Sequence, residues 1–373
     1  MPDDRHPTAD ELADLMTGAL EHGQAADIRA HVAKCAACSD VSGHLEGLPG
    51  LLASVRYPAM PEGASLRIEA ALMVAASRRA SGRDSASARE GVVDSATGLD
   101  PFPHLCWTYH GKAEWADRAL EFSADGIAAG NCIKLIGDAS TEDLRSELAE
   151  RVRSMTEGLA TGSDHVEVRD LTDYHRIGGD GIIDVDATIA AHRAALEDAL
   201  AAGYTGLRLA VEETSIARTN AQRDAAVRLE FRGDRARSSL PVGSMCSYDI
   251  EEIGLDAAAE MACVHPFINR GAAPFRLYAV EGADFGVAGA IDDVTAQGLF
   301  RTTLGRTVPP EGPELVVDAR EAEFIADGAL AELDAHAARM GRTAVVHTRP
   351  STVPSPAARP ALSCLTIDTG DGQ

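Results

Sequence analysis

This sequence predicts a multidomain protein: a small all-α module, then a larger α/β sheet domain, then a smaller α/β domain. Three observations predict it. Apolar residues recur at helical spacing from Thr8 to Arg79, and a stretch rich in Ser, Ala, Gly, Arg and Asp follows from Ala80 to Pro103. Beyond it, short apolar runs alternate with amphipathic segments of roughly 12 to 18 residues, the alternation that builds a largely parallel sheet covered by helices. At 373 residues and 45% hydrophobic, the chain suffices for two or three domains with real cores.

In the first module, Leu12, Leu15, Met16 and Leu20 mark one helix, Gln24 to Lys34 a second and Ser39 to Glu46 a third. Pro49-Gly50 breaks the pattern ahead of Leu51 to Tyr57, and an amphipathic helix is expected over Ala64 to Arg79. The expected divisions are residues 1–80, a flexible linker 81–100, a central domain 101–281 and a last domain 282–373. The central pattern predicts helix Lys112 to Ala129, strand Cys132 to Ile136, helix Thr141 to Met155, strand Val166 to Arg169 and helix Val185 to Ala202. Strands Gly206 to Val211, Gly243 to Tyr248 and Phe275 to Val280 follow. The last ninety or so residues read as strand Asp284 to Ala290, helix Val294 to Leu304, strand Leu315 to Asp318, helix Gly328 to Met340, strand Thr343 to His347 and a short helix Ala357 to Cys364.

The formal net charge is −24, and Lys34, Lys112 and Lys134 are the only lysines. Nucleic-acid association is driven by clustered Lys and Arg that release counterions, so this composition argues against direct nucleic-acid binding and for basic partners. No run approaches the roughly 20 apolar residues that span a bilayer. The polar, acidic stretch Met1 to Glu11 has no signal-peptide pattern, and seven cysteines in so long a chain do not make a disulfide scaffold. The expected location is a reducing cytoplasm.

The strongest chemical motif is His31-x-x-x-Cys35-x-x-Cys38. His31 and Cys35 are four apart and share a helix face, and Cys38 falls at the helix end. Imidazole and thiolate suit tetrahedral Zn²⁺, and a closed site needs a fourth ligand, for which His6, His22 and His44 are available. His6 lies far enough upstream for a helix to fold back between it and His31. The plain alternative is a CxxC packed as small hydrophobes with His31 at the surface.

With these residues, the segment from Thr8 to Cys38 resembles the zinc-associated anti-sigma domain, a likeness that covers roughly residues 6 to 80. The resemblance implies that zinc pins three helices together. It also implies that the fourth helix, Ala64 to Arg79, inserts between the two domains of a sigma factor through Leu66, Leu72 and Val74. Redox-sensing members place a Cys where this chain has His6, so a static zinc staple is expected instead of a disulfide switch.

The blocks from His104 to Ile136, from Asp186 to Thr214 and from Gly243 to Phe267 are similar to the MEDS sensory domain over about residues 101 to 280. The resemblance implies a RecA-like sheet. A P-loop needs GxxxxGK(S/T), whereas the turn after Ile136 reads Gly137-Asp138-Ala139-Ser140-Thr141, without Lys and with an added negative charge. ATP hydrolysis is therefore not expected. The positions matching recurrent residues of that family are His104, Cys106, Glu213, Cys246, Tyr248, Asp249, His265 and Pro266. Of these, His104, Cys106, Glu213, Cys246 and His265 are the sensory-pocket candidates, able to surround a ligand or metal, or to serve as core fillers and hydrogen-bonded structural groups. Phe231 and Arg232 stand where the family has a Tyr-Glu pair.

Residues 283 to 373 resemble a STAS domain in the order of their elements. Anti-anti-sigma members carry a phosphorylatable Ser where this chain has Gly328. No hydroxyl residue lies between Arg320 and Met340, so that modification is chemically absent. Asp327 is expected to act as a helix N-cap. The implied role of the domain is docking of other anti-sigma or anti-anti-sigma regulators.

Together these readings predict an anti-sigma factor whose central and last domains govern release of a sigma factor. One alternative is a signalling scaffold without sigma binding. The other is an enzyme built on His104, Cys106, Cys263 and His265, against which stands the lack of a nucleophile–base motif, a Gly-rich cofactor loop or HExxH.

Overall fold

Helical spacing around the His/Cys motif produces helix α1, His22–Val32. Its hydrogen bonding runs on, with Cys35 N–H donating to the His31 carbonyl at 2.9 Å and Ser39 N–H to the Cys35 carbonyl at 2.9 Å. The structure is a computed structural model that describes residues 6–7, 15, 20, 22–35, 38–39, 91–99, 102–154, 166–237, 240–307, 312–354 and 361–370. The chain divides into two compact units, Met1–Glu62 and Gly63–Gln373. Residues 40–46 of the expected third helix, the stretch 51–57 and the helix expected over 64–79, with Leu66, Leu72, Val74 and His44, lie outside the described residues.

The second unit opens on a seven-stranded sheet. Its strands are β1 Val92–Val93, β2 His104–Tyr109, β3 Cys132–Gly137, β4 Val166–Asp170, β5 Leu207–Glu212, β6 Val242–Asp249 and β7 Phe267–Asn269. They lie in the order β1-β7-β2-β6-β5-β3-β4 with every pairing parallel. Helices α2 Lys112–Ala128, α3 Glu142–Ser154, α4 Leu171–Tyr174, α5 Val185–Ala201, α6 Asn220–Arg237, α7 Ile250–Ile253 and α8 Leu255–Ala262 connect them. Strands covered on both faces are mostly apolar, and β2 and β5 are buried along their whole length, with His104, Thr108, Arg208 and Glu212 as their buried polar members.

Alternation along each strand sorts residues between the two faces. Leu105, Trp107 and Tyr109 of β2 join Ala210 and Met245 in a core under α2 and α3 that includes Trp115, Phe122 and Leu148. Cys106 of β2, Leu209 and Val211 of β5, and Cys246 and Tyr248 of β6 face the opposite core, which takes in Val227 and Phe231 of α6. Trp115 is fully buried in the first core. Trp115→Ala is expected to destabilise the unit by about 3–5 kcal/mol, measured by urea unfolding. A loss below about 1 kcal/mol would mean that the core collapses around the gap.

The expected linker is docked over its second half. β1 pairs with β7, Ala96 is fully buried, and Asp94 and Arg270 form a two-pronged ion pair with both contacts at 2.8 Å. Carboxylates of α2 hold this stretch, Glu121 accepting from Ala96 N–H at 3.1 Å and Asp125 from Gly98 N–H at 2.6 Å. A two-residue strand held by another element's side chains leaves no periodicity to read.

A second, mixed sheet completes the unit. It consists of β8 Phe275–Tyr278, β9 Phe285–Ile291, β10 Glu314–Ile325, β11 Thr343–His347 and β12 Leu365–Asp368, in the order β12-β11-β10-β9-β8. Only β8 runs antiparallel to its neighbour. The run expected as a central strand at Phe275–Val280 therefore hydrogen-bonds into this sheet. The helix expected over 357–364 is absent at 361–364, and Leu365–Asp368 forms β12 instead. Helices α9 Val294–Thr307 and α10 Asp327–Arg339 pack alongside. The cap residue of α10 is Ala326, with Asp327 in the first turn, which corrects the expected Asp327 N-cap. A Cβ on Gly328 would lie 2.0 Å from Gln297 Oε1, so Gln297 occupies the space a side chain there would need.

The two sheets share one continuous hydrophobic core. Phe231 of α6 packs edge-on against Phe285 of β9 with ring centroids 6.4 Å apart. Arg306 of α9 pairs with Glu260 of α8 at 2.8 Å and with Asp224 of α6 at 2.5 Å.

Candidate functional site

In the first unit, α1 and the turn after it place His31, Cys35 and Cys38 together, and His6 meets them from 25 residues upstream of His31. His6 Nδ1 lies 3.3 Å from Cys38 Sγ, 3.5 Å from Cys35 Sγ and 3.4 Å from His31 Nε2. Cys38 Sγ is 3.5 Å from His31 Nε2, and all four donor atoms lie within 4.8 Å of one another. Bond lengths of about 2.0–2.1 Å to nitrogen and about 2.3 Å to sulfur give tetrahedral edges of about 3.3–3.8 Å. The four separations above, at 3.3–3.5 Å, lie close to those edges, so the two nitrogens and two sulfurs fit a four-coordinate divalent metal. Among the described residues His6 is the histidine brought to the motif, while His22 begins α1 and His44 lies outside them.

In the second unit the sensory-pocket candidates meet on the face of the parallel sheet covered by α6. His104 and Cys106 point there from β2, Cys246 from β6, Glu213 follows β5, and His265 follows α8. Each is at most 4% exposed, so they form an enclosed network and not the rim of an open cleft. Helix α6 completes it with Glu230, Asp234 and Arg237. His104 Nδ1 lies 3.0 Å from Asp234 Oδ1, and His104 Nε2 lies 3.0 Å from Glu230 Oε2. Cys246 Sγ is 3.6 Å from Glu230 Oε2, and Arg237 Nη1 is 3.8 Å from that oxygen. Tyr248 donates to Glu213 at 2.7 Å, and His175 Nε2 holds the other Glu213 oxygen at 2.8 Å.

Two buried carboxylates so placed are driven apart in acidity. Burial, with Glu230 beside it, pushes Glu213 up. Burial alone would raise Glu230 too, but the His104 hydrogen bond and the neighbouring positive charge hold it well below the usual range. Burial, together with Glu213 and Glu230, raises the Cys246 thiol well above normal, and burial and Glu230 do the same to Cys106. These thiols are not free nucleophiles in this environment.

Sequence reasoning missed Glu230, Asp234, His175 and Arg237. The first two sit four apart on one face of α6 among apolar Val227 and Phe231, a pattern of inward-facing carboxylates that the helix periodicity carried. Phe231 packs toward the second sheet, and Arg232 is at the surface, paired with Asp186 at 2.6 Å. In the turn after β3, Asp138 caps its own backbone, accepting from Ser140 N–H at 2.8 Å, and Lys112 donates to the Ser140 carbonyl at 2.6 Å.

A groove between α5 and α6, lined by Ile189, His192, Leu196, Gly233, Arg237 and Leu240, reaches the network at Arg237. His192 stacks on Tyr174 with centroids 4.2 Å apart, and burial followed by His175 holds its imidazole well below its ordinary value.

Residues 103–266 match the model of the MEDS family, the methanogen/methylotroph DcmR sensory domain. Every residue of the buried network falls inside that match. No curated protein and no solved structure matches the chain. The match indicates a signalling or regulatory role, and no helix among the described residues is long and apolar enough to cross a membrane.

Proposed function

We propose that this chain is a cytoplasmic anti-sigma factor that acts by binding and not by catalysis. In this reading Zn²⁺ held by His6, His31, Cys35 and Cys38 shapes the first unit, and the segment Ala64 to Arg79 meets a sigma factor through Leu66, Leu72 and Val74. The carrying observation is the convergence of four metal-type donors around HxxxCxxC in a chain that also matches a sensory domain. The parallel sheet is read as RecA-like without a P-loop. The mixed sheet, with its single antiparallel edge, is read as a STAS domain that docks other anti-sigma or anti-anti-sigma regulators.

Signal input would act on the buried network. Asp234 offers a route onward, since its second oxygen accepts from Ala279 N–H, just beyond β8, at 2.6 Å. A ligand would act by favouring one of two arrangements of that contact. The test is co-purification of the full chain, wild type and Cys35→Ser/Cys38→Ser, with the host's sigma factors while zinc is assayed. A sigma factor retained by the wild type alone, with zinc, supports the proposal. Zinc with no sigma factor favours a scaffold, and wild-type chain without zinc removes the basis of the reading.

A further inference from the structure

We infer that His104, Glu230, Cys246 and His265 form a second metal site, for a divalent transition metal of the zinc type, within the core of the central domain. One donor atom from each lies within 4.8 Å of the others. The separations are 3.0 Å from His104 Nε2 to Glu230 Oε2, 3.6 Å from Cys246 Sγ to Glu230 Oε2, 4.0 Å from Cys246 Sγ to His104 Nε2 and 3.6 Å from His265 Nε2 to Glu230 Oε2. Tetrahedral edges for such donors are about 3.3–3.6 Å, so small side-chain shifts close the shell.

The independent observation is His265. Its ring is fully buried, and Nδ1 lies 2.9 Å from the Met261 carbonyl, which can only accept. The proton therefore sits on Nδ1, and Nε2 presents a bare lone pair to the cluster with no hydrogen-bond partner. A lone pair aimed at a carboxylate oxygen in a dry interior is unfavourable unless a cation lies between them.

His104 is prepared in the same way. Asp234 Oδ1 is placed to accept from the His104 Nδ1–H at 3.0 Å, the carboxylate–histidine arrangement that orients metal-ligating imidazoles and strengthens them as ligands. Charge agrees as well. Glu230 and a Cys246 thiolate would balance a dication, and binding would release the thiol proton to solvent. Two nitrogens, one sulfur and one carboxylate oxygen suit Zn²⁺, Co²⁺ or Fe²⁺ over Mg²⁺ or Ca²⁺. Because Asp234 also holds Ala279, the occupant of this site would be felt at the edge of the mixed sheet.

The test uses full-length chain carrying Cys35→Ser/Cys38→Ser, which removes the thiolates of the first cluster and leaves the core unmutated. Prepared metal-free and titrated with Co²⁺ alone, it is expected to take up one ion per chain. The bound ion should show a thiolate-to-metal absorption band and tetrahedral visible bands. Release to a chelator should be slow, because every ligand is enclosed. Adding Cys246→Ala should abolish the thiolate band, and adding His265→Gln should weaken binding. A folded double-serine chain that shows no thiolate band would overturn the inference and leave His104 as a bridge between Asp234 and Glu230. A band that survives Cys246→Ala would also overturn it, by placing the metal elsewhere.

Discussion

Replacing Glu230 with Ala is expected to cost the second unit about 3–5 kcal/mol of stability, the range for removing one member of a buried ionic group. Its carboxylate is 1% exposed and faces His104, Cys246, Tyr248, His265 and Arg237. Without it, His104 Nε2 and the Arg237 guanidinium lose their anion, and neither gains access to water. Glu230→Gln keeps the shape and one acceptor, so its expected cost is smaller, about 1.5–3 kcal/mol, the value of a hydrogen bond to a charged group. Urea unfolding followed by tryptophan fluorescence measures both, because the only two tryptophans, Trp107 and Trp115, lie in the core across the sheet. Equal losses for the two variants would show that Glu230 acts through packing and not through charge.

On the proposed zinc reading, Cys38→Ser is expected to empty the His6, His31, Cys35 and Cys38 cluster. Structural zinc contributes an apparent binding free energy of about 10–16 kcal/mol at neutral pH, and serine does not replace a thiolate at a tetrahedral zinc. Zinc content of dialysed full-length chain should fall by one equivalent, and the first unit should become sensitive to protease. Addition of a strong chelator to the wild type should have the same effect. His6→Ala is expected to be milder. His31, Cys35 and Cys38 come from α1 and the turn that continues it, so three protein ligands remain and water can take the fourth position. Its affinity loss should still exceed the about 10–100-fold cost of outer-shell changes. Full zinc retention by Cys38→Ser would remove this cluster as the metal site.

The first site was legible because its chemistry is local. Residues four apart on a helix share a face whatever surrounds them, and a CxxC beside such a pair brings its thiols within reach of the imidazole. Only His6 required the fold, and even there the shortlist held just three histidines. The second site was half legible. His104, Cys106 and Cys246 announce a common sheet face through strict alternation in apolar strands. Glu230 and Asp234 did not announce themselves, because a carboxylate on a helix is ordinarily a solvated residue. Burial beneath the sheet is what turns it into a ligand or a charge partner.

By itself the sequence determined the class of each segment: a helical His/Cys module, a parallel sheet with helical crossovers and a second, smaller α/β sheet. These follow from periodicity and ligand spacing, which are short-range properties of the chain. Tertiary structure alone decided that residues 91–99 dock, with Val92–Val93 as an edge strand, that Phe275–Tyr278 joins the second sheet, and that both sheets share one core. It alone brought α6 over β2 and β6 to enclose His104, Glu230, Cys246 and His265. Which strand accepts a short segment, and which helix covers a face, depends on long-range hydrogen bonds and burial that no local pattern encodes.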